Sequence, residues 1–206
     1  MHAPAAENDA IDQLREMARQ LGADKVVLLP IDALSVEERF AALCAGPTRC
    51  PSYGLCPGCP PHAMRPEQFR KLLPHYRWVL AFKIDAPLAE LSGPGRLPLA
   101  RTIHRIAAVL EQTGIDLGIS PALGLAAGSC RDLFCADLDC CVVLQHGSPC
   151  PHANKVRPSL SAVGVDFARI AEAAGWPYPP DTRSDREPMA MLAGLVLLGR
   201  GGSRGD

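Results

Sequence analysis

The chain has 206 residues, a net charge of −1 at neutral pH, 48% hydrophobic residues and only 5% aromatics. That hydrophobic content is enough for a real core without disulfide staples, and the odd count of nine cysteines also argues against a disulfide framework. There is no basic excess and no Lys/Arg run, so nucleic-acid binding has no compositional support.

The elements expected in chain order are as follows. Residues 1–8 read as a flexible lead. Residues 9–21 place Ile11, Leu14, Met17, Ala18 and Leu21 at helical spacing, ended by Gly22. Lys25 to Pro30 reads as a short buried strand. Ser35-Val-Glu-Glu reads as a capping box that opens a helix through Leu43 and delivers Cys44 at its end. Residues 45–62 form a Pro/Gly/Cys loop. A helix starts at Pro66, where a missing N–H costs nothing, and runs to Leu73.

Arg77 to Ile84 is the clearest strand, and residues 86–96 are a Pro/Gly connection. A long amphipathic helix is expected from Leu97 to Gln112, closed by Gly114. Residues 115–127 read as strand and turn. Pro158 starts a helix to Ala174, closed by Gly175. Met191 to Leu198 reads as a last buried strand, and residues 200–206 as a disordered tail. The expectation is a single α/β or α+β domain over 9–199, a small sheet with packed helices and two cysteine-rich metal loops.

The N-terminal stretch lacks the basic and apolar regions of a secretory signal. The longest apolar run, Met189 to Gly199, is too short to span a bilayer as a helix. The expectation is a cytoplasmic protein with no membrane partner, where thiols stay reduced and clustered cysteines favour metal or redox chemistry.

The cysteines form two groups. Cys44, Cys50, Cys56 and Cys59 follow the pattern C-x5-C-x5-C-x2-C; Cys130, Cys135, Cys140, Cys141 and Cys150 follow after seventy residues with none. Adjacent cysteines rarely both ligate one centre, so four and four with one spare permits two sites. Cys141 opens the apolar run Cys141-Val-Val-Leu and reads as the spare, a small buried hydrophobe. Zinc takes C-x2-C knuckles, and only Cys56 and Cys59 form one. Iron–sulfur clusters tolerate wider spacing and a proline after a ligand, and Cys50, Cys56, Cys59 and Cys150 each precede proline. A [4Fe–4S] cluster at Cys130, Cys135, Cys140 and Cys150 is favoured. The alternative is zinc, and thiol redox chemistry is a third reading.

Residues 59–66 and 150–158 echo each other, each leading from a cysteine loop toward a proline-started helix whose positive end would stabilise thiolates. His62 and His152 are candidate ligands, whereas His75 and His104 read as surface or boundary residues, His104 on a solvated face with Arg101 and Arg105. Gly54 is expected at a turn with positive φ, with Tyr53 packed over the loop. There is no G-x-x-x-x-G-K-[ST], no G-x-S-x-G and no H-E-x-x-H, Gly93-Pro94-Gly95 is only a turn, and no carboxylate pair stands out.

Three strings carry a resemblance: Cys50-Pro-Ser-Tyr-Gly with Cys59-Pro-Pro; Gly128-Ser-Cys130 through Leu133-Phe-Cys135 to Cys140; and Cys150-Pro-His with Arg157-Pro-Ser-Leu-Ser-Ala-Val-Gly-Val-Asp166. With the closing Leu192-Ala-Gly-Leu-Val-Leu-Leu, they resemble a bacterial and archaeal family of predicted metal-binding proteins, domain of unknown function twenty-two eighty-four. The resemblance covers most of residues 40–198. It implies metal binding through Cys44, Cys50, Cys59, Cys130, Cys135, Cys140 and Cys150, leaves Cys56 and Cys141 outside that set, and transfers no reaction. The functional expectation is electron transfer or accessory redox service to a protein partner or larger enzyme system; the rivals are a zinc-stabilised interaction module and a small enzyme with an open metal position.

Overall fold

The structure, a computed structural model, describes residues 5–183 and 186–199. The tail expected at 200–206 lies outside them, as do residues 1–4 of the expected flexible lead. Residues 5–8 are instead the first turn of helix α1 (Ala5–Gln20), where Glu7 accepts hydrogen bonds from Trp78 Nε1 at 2.9 Å and Arg77 Nη1 at 3.2 Å.

Two long strands make the spine. β2 (Tyr76–Pro87) and β4 (Met189–Gly199) pair antiparallel along almost their whole length. β1 (Lys25–Pro30) pairs with β2, and β3 (Ala122–Leu125) pairs with β4. The result is a four-stranded antiparallel sheet in the order β1-β2-β4-β3. Side chains alternate across a strand, so β2 and β4 each supply both faces and read as continuous apolar runs. Leu80, Phe82, Val196 and Leu198 pack against α1 and the long helix α5 (Arg96–Asp116), through Leu14, Ile103, Ile106 and Leu110. Val79, Ala81, Leu195 and Leu197 pack against Phe69, Val163, Val165, Ile170 and Trp176 on the opposite face. The architecture is α+β, a sheet with a helical layer on each side.

The local readings differ from this in four places. The capping box at Ser35 does not form: α2 is only Glu38–Ala42, with Glu37 as N-cap. Tertiary pairing takes the backbone first, since Val36 bridges Val165 and the Ser35 carbonyl accepts from the Asp166 N–H at 2.9 Å. The 86–96 connection contains a short helix, α4 (Leu88–Ser92). Helix α5 runs Arg96–Asp116, and Gly114 lies buried inside it, where an added Cβ would meet Leu198 and Ala122. Pro158 starts no helix: residues 158–166 are turns fastened to the end of β3 by Ala126 N–H to Pro158 O (3.0 Å) and Leu160 N–H to Ala126 O (3.2 Å). Helix α8 is therefore only Phe167–Ala174, capped by the Asp166 carboxylate. Helix α3 (Pro66–Leu72) starts at proline as expected. The two halves of the internal echo thus part company after their cysteines, and only the first enters a helix.

Among the described residues no helix is long and apolar enough to cross a membrane.

Candidate metal centre

The first cysteine loop is a chain of tight turns closed on its cysteines. Cys50 N–H bonds Cys44 O (3.1 Å), Tyr53 N–H bonds Cys50 O (3.0 Å), Cys59 N–H bonds Cys56 O (3.1 Å), and Ala63 N–H bonds Cys59 O (2.9 Å). Gly54 has φ of +79°, the turn that glycine was expected to supply. Tyr53 lies under the Arg49 guanidinium, 4.3 Å from its ring centroid.

The second loop is not structureless. Helix α6 (Cys130–Phe134) begins it, with the Ser129 hydroxyl accepting from Arg131 N–H at 3.2 Å. This puts Cys130 at the first helical position and Cys135 just past the last. Helix α7 (Val142–His146) follows, with Cys141 as its N-cap residue and Gly147 closing it in the left-handed conformation. Cys150 then opens another run of turns.

The loops meet. Ser52 Oγ donates to Asp132 Oδ2 at 2.7 Å, Cys56 Sγ lies 3.4 Å from Ser129 Oγ, and Ser159 N–H bonds Gly58 O at 3.2 Å. Between them lies a cavity of about 430 Å³ lined by five cysteines: Cys56, Cys130, Cys135, Cys141 and Cys150. Its other walls are largely apolar, among them Leu138, Val142, Val143, Pro149 and Val156.

All nine cysteines are free thiols, and the structure sorts them into three settings. Cys56 interacts with both Cys130 and Cys59, so the two sequence groups come together. Those interactions, first the one with Cys130, hold the Cys56 thiol well below the usual range, helped by Ser129. The same interactions push Cys130 and Cys59 up, and burial adds to the rise. Cys44 and Cys50 stand apart from the cavity, close enough to interact; burial first, and then Cys50, raise the Cys44 thiol. Cys140 faces outward, into a shallow groove with Leu55, His62 and Leu144, with its Sγ 4.0 Å from His146 Nε2.

Of the adjacent pair, Cys141, read from the sequence as the spare, lines both the cavity and the groove, whereas Cys140, read as a ligand, lines the groove alone. Neither His62 nor His152 lines the cavity; His62 is exposed in the groove, and His152 packs on Phe134 with centroids 5.8 Å apart. Among the described residues no three His, Cys, Asp or Glu side chains are arranged to hold a single metal ion.

A buried latch fixes the far wall. Arg157 grips Glu111 of α5 through Nε (2.9 Å) and Nη2 (2.8 Å), and its own N–H bonds His104 Nδ1 at 3.0 Å. Glu111 also accepts from the Gly124 N–H of β3, and Arg101 Nε bonds Leu133 O at 2.6 Å. His104 was expected on a solvated face and is instead fully buried, because α5 turns it inward between the exposed Arg101 and Arg105. The sequence reading also missed Ser52, Asp132 and Arg157 as site-builders. One signal was available: Ser129-Cys-Arg-Asp132 is itself a helix-start pattern.

Burial pulls the His104 pKa down to about 4, so the imidazole is neutral in the fold. Unfolding lets it rise to the ordinary 6.5, so the unfolded chain binds more protons between those values and stability falls as the pH is lowered through them. The metal-free protein is expected to lose roughly 2–3 kcal/mol from this group between pH 7.5 and 4.5. Urea denaturation at both pH values checks this against H104Q, whose amide still accepts from Arg157 but does not titrate; an equal acid loss in both proteins refutes it.

A family model described as "Predicted metal-binding protein (DUF2284)" matches residues 27–198. No match was found among curated proteins or among solved structures.

Proposed function

Because the chain belongs to the family of predicted metal-binding proteins (DUF2284), we propose that it is an iron–sulfur protein of the cytoplasm that serves electron transfer to a protein partner or larger enzyme system. The observation that carries this reading is the set of five thiols around one cavity of about 430 Å³. Thiolates are the donors that iron–sulfur clusters use, and soft sulfur ligands select against magnesium and calcium. The donor set fits. A closed zinc site draws four ligands to about 2.0–2.3 Å from one ion, whereas these thiols stand around a space, as a multi-atom cluster requires.

Cys130, Cys135, Cys141 and Cys150 would hold a [4Fe–4S] cluster, with Cys56 as a fifth thiol in the same wall. When bound, such a cluster takes up and releases one electron at a time. The chain supplies the setting. Val142, Val143 and Val156 give it an apolar lining, the Ser129 hydroxyl lies against the Cys56 sulfur, and the Arg157–Glu111 latch holds the wall at Arg157 against α5. Arg131 and Cys141 line both the cavity and the outer groove, so a partner docked in the groove would approach the centre closely.

Zinc is the second reading, favoured by the direct contact of Cys56 with its C-x2-C partner Cys59 and with Cys130. Protein purified without oxygen separates the two. Iron with acid-labile sulfide and a brown colour are expected; colourless protein with stoichiometric zinc and no sulfide refutes the iron–sulfur reading.

A further inference from the structure

The other charged groups in or beside the cavity wall are satisfied by the protein itself; of the neutral ones, His104 behind it keeps a buried Nε2 without a partner. Arg157 is neutralised by Glu111 through two bonds, and its Nη1 donates to Val156 O at 2.6 Å and Ala153 O at 3.1 Å. Asp132, beside the wall, is taken by Ser52. Arg131 is different. Its Nη2 donates to Leu138 O, but its Nη1 is buried without a hydrogen-bond partner. Among the described residues no carboxylate pairs with it. A buried guanidinium donor left unmade costs about 1–3 kcal/mol or more, and a cation beside an apolar cavity costs further unless an anion compensates.

The anion is not far to seek. Arg131 lines the cavity beside the thiols of Cys130, Cys135, Cys141 and Cys150. Four thiolates around an iron–sulfur core give the occupant a net negative charge, with inorganic sulfides as hydrogen-bond acceptors at its surface.

We propose that Arg131 is the cluster's built-in counter-ion, its Nη1–H donating to a sulfur of the bound cluster and setting its reduction potential. This rests on the iron–sulfur reading above and adds a role that cysteine spacing does not contain. The reduced cluster carries one more negative charge than the oxidised one, so a fixed cation and N–H donor favour the reduced form and raise the potential. Arg131, with Cys141, lines both the cavity and the groove, so the same guanidinium would screen the cluster's charge where a partner approaches.

The test uses the full chain, purified without oxygen, as wild type, R131L and R131K. Iron and sulfide per chain are measured first, then the midpoint potential, then the iron–sulfur stretching bands in H2O and D2O by resonance Raman. R131L is expected to keep the cluster, lower the midpoint and lose most of the deuterium sensitivity of the bands; R131K is expected to fall between. A purely structural role would not move the deuterium response. If R131L holds its cluster with wild-type midpoint and wild-type deuterium shifts, the inference is overturned and the iron–sulfur reading stands. If R131L loses the cluster, R131K decides: a retained cluster with a lowered midpoint supports the counter-ion, and loss in both overturns it, marking Arg131 as wall structure. Wild type without iron takes down both.

Discussion

Cys141→Ala is expected to abolish the proposed cluster in anaerobically purified protein, while Cys140→Ala is expected to leave iron and sulfide at wild-type levels. This is the expected outcome of the geometry around the adjacent pair. Cys141 caps α7 and lines the cavity with Cys130, Cys135 and Cys150, whereas Cys140 lies on the outer side near His146. Losing one of four thiolates leaves a cluster iron without its protein ligand, so the effect on cluster content is large. Cys56→Ala, in contrast, should leave iron bound, since Cys56 is a fifth thiol and already has Cys130, Cys59 and Ser129 as partners. Iron and sulfide assays on the three variants check this. If Cys140→Ala empties the protein and Cys141→Ala does not, the cavity is not the cluster site.

The sequence alone pointed the other way for this pair, and the reason is physical. In strands and helices a periodic pattern tells which residues share a face. That pattern located β2 and β4 and the apolar stripe of α5 within a few residues. A Pro/Gly/Cys loop has no period. Which of two neighbouring thiols faces inward is settled by the start of a five-residue helix, α7, whose composition, Val-Val-Leu-Gln-His, gives weak helical preference. The convergence of the two cysteine groups is equally invisible locally. It depends on Ser52 meeting Asp132 eighty residues away and on Cys56 meeting Ser129. What composition did carry was the existence of the site: thiols clustered in loops, in a chain with core enough not to need disulfides.

His104 shows the same limit inside a regular element. Flanked by Arg101 and Arg105 it looks like part of a charged face, yet one helical residue step is about 100°, enough to carry it from solvent to core. Its burial makes sense only with Arg157 in view, because the imidazole Nδ1 gives the Arg157 N–H its acceptor.

Arg157→Ala is expected to destabilise the fold by about 3 kcal/mol or more, with or without metal. Arg157 and Glu111 side chains are only 13% and 19% exposed, and removing one partner of such a pair strands the other charge; breaking a buried pair costs roughly 3–5 kcal/mol. Glu111 keeps only the Gly124 N–H. The double variant Arg157→Leu with Glu111→Leu should recover much of the loss, since it leaves no stranded charge, and urea denaturation measures both. The same latch predicts what metal removal does. Residues 130–134 and 153–158 are tied to α5 by Arg101 and Arg157, so their amides should stay protected after chelation. Residues 136–149 span the stretch between Cys135 and Cys150, mostly exposed and joined to the core by few bonds, so hydrogen exchange there should accelerate strongly. On this expectation metal would organise the middle of the second loop, while protein contacts hold its ends. Uniform protection of 136–149 without metal would mean that the thiols do not organise it. Loss of protection across α5 and β2 would mean that the centre supports the whole core, and the latch would then have no independent hold on the site.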